Sequence, residues 1–443
     1  MAIESDDLLN SLQALTADVS PARWLVAFSG GIDSTVLLHA LANSNTTHKI
    51  VAIHIDHGLQ RESAEWEVQC RAFAAALGVD FVSQKVSVAG NAEKGPEAAA
   101  RQARYAALMN FVQKDDCLLS AHHEDDQAET LLLNLMRGSG PAGLAGIGAK
   151  QSFGRGFLLR PLLGIPGEEI SAYAEHHGLS WIDDPSNVDT RFDRNFLRKK
   201  VMPVLAARWP AVANRLRRSA ELVSEASELL NELADIDLER CGRPMRLNIG
   251  ELRQLTSRRQ RNVIRRATRL CGLPPPPATR LYQVIHELIP ARPDAQPLVG
   301  WPGVELRRYR DHLFVMPALD AVLATPAALL RANDQALQLG PGLGSIALAD
   351  SAATGLDRSL AEAGLSIRYR TGGEEIRIAG NGATRKLKKL MQEEGVLPWM
   401  RGRLPLLFAR DALVAVGDLW VSADHLAEPG MDVRWHDKPE ITL

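Results

Sequence analysis

Along the first two hundred residues, short solid apolar runs alternate with apolar stripes at helical spacing. Trp24–Phe28 is a short apolar run, followed by a glycine turn and a helical pattern over Ser34–Leu41. Lys49–Asp56 is apolar and β-branched, and Ser63–Leu77 reads as an amphipathic helix. Val79–Val86 with Pro96–Val112, and Cys117–Ala121 with Asp125–Arg137, repeat the pairing. Such alternation predicts βαβ units and an α/β domain built on a parallel sheet with helices on both faces. Sheets of this kind bind ligands beyond the carboxyl ends of their strands, where the loops 29–34, 56–60 and 122–126 fall.

After about residue 205 the pattern changes. Residues 211–240 are helical and charged, with Leu216, Leu222, Leu229 and Leu230 as candidate core positions. Four prolines at 274–277 punctuate the middle, and 320–365 is rich in Ala, Leu and Gly with little charge. From Ser366 onward the chain is β-rich, with Ser366–Arg370 and Ala412–Val416 as strands. No short-period repeat is evident. A chain of 443 residues exceeds one ordinary core. The expectation is three domains: an α/β domain over 1–205, a largely helical domain over 206–345, and a small α+β domain over 366–443.

The apolar and charged fractions, 46% and 23%, are those of a globular chain rather than a disordered or membrane one. No apolar run approaches a transmembrane length, and the acidic Met1–Asn10 does not read as a secretory signal. Cys70, Cys117, Cys241 and Cys271 are scattered, without a metal-binding spacing, which fits a reducing cytosol. A net charge of −2 means that any nucleic-acid surface must be local. Three basic clusters answer that requirement: Arg191–Lys200, Arg258–Arg269 and Arg368–Lys389. Charge runs are usually solvated faces, but three of them in a near-neutral chain favour an RNA surface.

The loop Ser29-Gly30-Gly31-Ile32-Asp33-Ser34 joins the first strand to its helix. Two glycines permit a tight turn and close approach to an anion. The helix start aims N–H groups and its positive dipole end at a phosphate. The same residues would also suit a plain turn capped by Asp33 or Ser34. A carboxylate facing phosphates needs a bridging cation, which brings in Mg²⁺ at Asp33. The loop lacks the lysine and spacing of a Walker A sequence. Farther on, Asp126 and Glu129 are three apart on one helix face, in His122-His123-Glu124-Asp125-Asp126-Gln127-Ala128-Glu129-Thr130. They could hold Mg²⁺ or clamp a primary ammonium; the plainer reading is an acidic first turn.

The loop resembles the PP-loop of the N-type ATP pyrophosphatases. Together with 122–130, Arg137–Gly140, Arg160–Leu163, Trp181–Asn187 and Arg194–Arg198, it is similar to the tRNA(Ile)-lysidine synthase family. The likeness returns in Arg370-x-Gly-Gly-Glu374, Lys386–Lys389 and Pro398–Arg401. The resemblance implies adenylation of C2–O of the wobble cytidine in an isoleucine tRNA with a CAU anticodon, then displacement of AMP by lysine. It implies ATP contacts at Ser29, Gly30, Gly31, Ile32, Asp33, Ser34, Asp56 and His57, and Mg²⁺ at Asp33 and Asp126. Lysine would meet Asp126, Glu129 and Asp184, and catalysis would use Asp33, Asp126, Glu129 and Arg198. Arg194, Arg385, Lys386, Lys388 and Lys389 would face tRNA, and Arg101 and Arg104, on one helical face, would meet tRNA phosphate or ATP unless Glu97 makes an ordinary surface pair with Arg101. Partners are therefore this tRNA and L-lysine in the cytoplasm, with no membrane. A homodimer is compatible with the sequence, which itself sets no oligomeric state. A thiolase would call for reactive cysteines, an amidotransferase for a Cys–His glutaminase segment, and neither is present. A pure RNA binder would not favour Asp33, Asp126 and Glu129.

Overall fold

The computed structural model describes residues 5–56, 58, 63–86, 96–185, 189–292, 295–319, 328–332, 334–379 and 383–442. His57, expected at the nucleotide, lies outside the described residues, as do Ser186 and Asn187. The chain forms two compact units, Met1–Leu230 and Asn231–Leu443.

The first unit begins with α1 (Ser5–Leu15), β1 (Arg23–Ala27), α2 (Ile32–Ala42), β2 (Lys49–Asp56), α3 (Ser63–Ala76), β3 (Asp80–Lys85) and α4 (Pro96–Phe111). It continues through β4 (Cys117–Leu119), α5 (Glu124–Met136), α6 (Pro141–Leu144), β5 (Lys150–Phe153), β6 (Gly156–Leu159) and α7 (Gly167–His176). The sheet order is β3-β2-β1-β4-β6-β5. Pairing is parallel from β3 to β6, and only the edge strand β5 runs antiparallel, in a hairpin with β6. That hairpin and α7 were not placed from the apolar pattern.

Alternation along β1 supplies both faces of the sheet. Trp24 and Val26 join the core beneath α1, α2 and α7, through Leu8, Leu12, Leu37 and Ile170. Leu25 joins the opposite core, with Ile53, Leu118, Leu158 and Leu108 of α4. Burial on both faces is why the strands read as unbroken apolar runs. β1 lies between β2 and β4, so its carboxyl end opens where the strand order reverses, and a crevice forms there.

Three further helical segments precede the long one: α8 (Asp193–Phe196), a π-helical stretch at Leu197–Val201, and α9 (Met202–Arg208). Helix α10 (Val212–Cys241) then runs for 30 residues. Its leucines correct the expected core: Leu222, Leu229 and Leu230 are 59%, 59% and 40% exposed. Its buried residues are instead Ala220, Ala234, Asp237, Leu238 and Cys241.

The second unit contains more sheet than its helical pattern predicts. Strands β7 (Gly242–Arg243), β8 (Arg246–Asn248), β9 (Leu298–Trp301), β10 (Val304–Tyr309) and β11 (His312–Pro317) form one sheet in the order β7-β8-β11-β10-β9. Its core is shared with α11 (Ile249–Gln254), α12 (Ser257–Leu270) and α13 (Ala278–Gln283). Toward the C-terminus, Ser345–Ser351 pairs antiparallel with Gly430–His436. The terminal sheet therefore recruits residues ahead of Ser366, from the low-charge stretch whose polar alternation is too weak to reveal a strand. Ser366–Arg368 and Ala412–Val416 are strands of a second, four-stranded sheet.

Candidate active site

Gly30 turns the chain after β1 with φ +85°. A Cβ on Gly30 would stand 2.5 Å from Ile182 Cδ1 and 2.8 Å from Cys70 Sγ. The loop is also held by its own polar atoms: Ser29 Oγ and Ser34 Oγ are 3.1 Å apart, and Ile182 N–H donates to Gly30 O at 2.8 Å. Helix α2 starts at Ile32, with Gly31 as its N-cap and no side chain capping it. Asp33 is thus a first-turn residue and not the cap, which leaves the helix N-terminus facing a cavity.

That cavity, of about 410 Å³, lies at the carboxyl ends of β1, β2 and β4. Ser29, Gly31, Asp33, Ser34, Asp56 and Asp184 border it, as do Arg101, Arg104, Asp126, Arg194 and Arg198. Asp56 is steadied by accepting the Gly58 N–H at 2.7 Å. Burial pushes the Asp33 carboxyl above its usual range, opposed by His123 and reinforced by Asp126. Burial also pushes the Arg104 guanidinium below its ordinary value.

The first turn of α5 carries three consecutive carboxylates, and each serves a different element. Glu124, buried, accepts from Asn214 Nδ2 at 3.1 Å and Arg217 Nε at 3.0 Å on α10. Asp125 accepts the Gly167 N–H that opens α7, at 3.1 Å. Asp126 Oδ2 accepts the His123 N–H at 3.0 Å, while the His123 ring accepts from Asp125 N–H, closing a capping box. The helix-cap reading of Asp126 is therefore part of the answer. Its other oxygen does something else.

Asp126 Oδ1 accepts from Arg194 Nη2 at 2.8 Å and Arg198 Nη2 at 3.1 Å. One turn on, Glu129 accepts from Arg194 Nε at 2.8 Å and from Arg198 Nε at 2.6 Å. A third bond, from Arg198 Nη2, reaches Glu129 at 3.0 Å. The Glu129 side chain is 1% exposed, whereas Arg198 is 43% exposed. Burial disfavours the charge on Asp126, but His123 and Arg194 outweigh it and hold the carboxyl below its usual value. Burial likewise opposes the Arg198 charge, and Glu129 overcomes it. Arg198 is in the π-helical stretch, a widened turn of the kind found at functional sites.

His122 lines the same cavity and is bonded through Nδ1 to Ser120 Oγ at 2.7 Å. Burial, with Arg160, Arg101 and Arg194 near by, pushes its pKa down to about 3 against the pull of Asp126. It is a neutral ring at working pH.

Three family matches cover this chain in order: the PP-loop domain over residues 5–205, the TilS substrate binding domain over 247–314, and the TilS substrate C-terminal domain over 365–435. The tRNA(Ile)-lysidine synthase of Alkalilimnicola ehrlichii is 44% identical over 418 residues, 94% of each chain. That of Coxiella burnetii is 39% identical, covering 91% of this chain and 90% of its own. The chain belongs to the tRNA(Ile)-lysidine synthase family. Among solved structures, a U34-tRNA thiolase from Methanococcus maripaludis aligns at a TM-score of 0.42 and 17% identity, covering 49% of this chain and 78% of that one.

In this lysidine synthase family member the structure brings Asp33, Asp126 and Arg198 to one cavity wall, with Glu129 behind them. Arg194, expected to face tRNA, is bonded to Asp126 and Glu129. Arg385 pairs with Glu393 at 2.6 Å, while Lys386, Lys388 and Lys389 beside it are exposed. In the Arg258–Arg269 cluster, Arg259 pairs with Asp237 and Arg266 with Asp235. The loop Thr371–Glu374 closes on itself, since Glu374 accepts the N–H groups of Thr371 and Gly372 at 2.6 and 2.7 Å. Trp66, Tyr105 and Ser120 border the cavity and were not singled out from the sequence. The Glu124–Arg217 contact was also missed: an arginine 93 residues away, on an ordinary charged helix, carries no pairing signal.

Proposed function

We propose that this chain joins lysine to C2 of the wobble cytidine in an isoleucine tRNA with a CAU anticodon, splitting ATP to AMP and pyrophosphate. The reading rests chiefly on one juxtaposition: a glycine loop with an uncapped helix start shares a cavity with Asp126 and with the two arginines that bond both Asp126 and Glu129. The loop suits a triphosphate, and the carboxylates suit an ammonium. In the first step the cytidine O2 attacks the α-phosphorus and pyrophosphate leaves. In the second, the lysine ε-amine attacks C2, and the C2–O bond breaks with AMP as leaving group. Most of the rate gain comes from alignment and charge neutralisation.

A free ε-ammonium has a pKa of about 10.4, so it must surrender a proton before attack. In our reading Asp126 or Glu129 takes it once an arginine bond has been given up, and Arg198 stabilises charge on the phosphate. Asp33 fits a Mg²⁺ ligand because its carboxylate borders the cavity beside the phosphate loop. Asp126 could join it only after yielding its arginine bonds. When bound, Mg²⁺ would supply neutralisation of the triphosphate. The basic faces of residues 206–345 and 366–443 would hold the tRNA body by phosphate and shape. No described helix is long and apolar enough to cross a membrane; the cytoplasm is the compartment we infer, and a homodimer would register as doubled mass in light scattering.

The test is AMP release with purified chain, ATP, lysine and unmodified tRNA. AMP should form only when both lysine and that tRNA are present through a full turnover; its absence sinks the reading. Asp33→Ala should abolish adenylation with tRNA affinity kept within about threefold, a change of roughly 0.7 kcal/mol.

A further inference from the structure

Every oxygen of the two carboxylates meant for lysine is already in use. Glu129 Oε1 accepts from Arg198, Glu129 Oε2 from both arginines, Asp126 Oδ1 from both, and Asp126 Oδ2 from the His123 N–H. The carboxylates are buried, while their arginine partners are 28% and 43% exposed and border the cavity of the phosphate loop. The guanidiniums thus stand between the cavity and Glu129, and they occupy the oxygen of Asp126 that the capping box leaves free.

We propose that Arg194 and Arg198 act as placeholders for the lysine ammonium, and that ATP draws them off Asp126 and Glu129 so that lysine binds after nucleotide. The inference rests on reading this cavity as the lysine- and ATP-accepting site. A triphosphate offers these arginines a stronger, forked partner, because planar guanidinium matches phosphate oxygens bidentately. Moving an arginine away strands a buried carboxylate, which is costly unless another cation replaces it. Lysine is that cation. Without nucleotide, lysine must displace two hydrogen-bonded guanidiniums unaided; with nucleotide, it fills a vacated charge. By linkage, lysine must tighten nucleotide by the same factor that nucleotide tightens lysine. Arg194, which would otherwise be assigned to RNA, then becomes a positioning residue that sets the order of binding.

Calorimetric titration of lysine into the full chain, alone and with saturating α,β-methylene-ATP and Mg²⁺, tests this directly. Lysine should bind about tenfold tighter with the analogue, inside the usual range for coupled sites. A difference below threefold overturns the placeholder role while leaving the lysidine reading intact. No lysine binding even with the analogue sinks that reading, and this proposal with it. Arg194→Gln supplies the second arm, with thermal melting to confirm folding. It should bind lysine more tightly than the parent in the absence of nucleotide and reduce the nucleotide effect to below threefold. A purely structural arginine would lower the melting temperature and leave the ratio unchanged, and that result overturns the proposal.

Discussion

At the scale of single residues, the two loop glycines do different work. Gly30 needs its positive φ and has no room for a methyl group between Ile182 and Cys70. Gly31 has ordinary extended angles, and the nearest atom to an added Cβ is Ser29 Oγ at 3.6 Å. Gly30→Ala should therefore cost about 2–4 kcal/mol of stability from strain and overpacking. Gly31→Ala should fold normally and lose ATP affinity alone; equal melting temperatures for the two variants would refute the distinction. His122 gives a pH prediction. Its folded pKa of about 3 lies below the unfolded value of 6.5, so between these pH values the unfolded chain binds the extra proton. Stability from this group is present above pH 6.5 and is lost as pH falls toward 3. From pH 7 to pH 5 the parent should lose up to about 2 kcal/mol more than His122→Gln. Parallel stability–pH curves from urea melts would contradict it.

At the scale of elements, α5 is fixed by what its first turn touches, and Glu124 is the testable member. Its carboxylate is 4% exposed and bonded to α10, and Arg217 is 23% exposed. Breaking a buried pair from one side is expensive, while removing both partners adds little. Glu124→Gln and Arg217→Gln should each cost roughly 2–3 kcal/mol, with a coupling of about 1–2 kcal/mol in the double variant. Strict additivity in denaturant melts would mean that the contact contributes nothing specific. This contact also marks how far the sequence could be read. β2 and the carboxyl-end loops were legible because solid apolar runs and glycine turns are local signals. So was the Asp126–Glu129 face, by helical spacing. The arginines that cover it were not, because Arg194 and Arg198 look the same in sequence whether they meet phosphate or carboxylate. The sheet β7–β11 escaped because its strands are only 2–6 residues long, too short for a period to show.

At the scale of the whole chain, near-zero net charge conceals a division of labour among its cations. Many arginines of the basic clusters are neutralised internally: Arg194 and Arg198 by α5, Arg259 and Arg266 by α10, Arg385 by Glu393. A guanidinium already in a salt bridge displaces few counterions when RNA arrives. An exposed lysine displaces nearly a full one, about 0.7–0.9 per phosphate contact. Lys386, Lys388 and Lys389 are exposed, so they should dominate the salt response of this segment. Replacing all three with Ala should lower the slope of log affinity against log salt by about 2–3. Arg385→Ala should lower it by well under one. Filter binding across a salt series, with the same tRNA for each variant, distinguishes the two. An unchanged slope in the triple variant would make these lysines a solvated face and shift RNA contact to other surfaces. A drop of a full unit in Arg385→Ala would mean that the Glu393 pair opens on binding and that internal neutralisation is reversible.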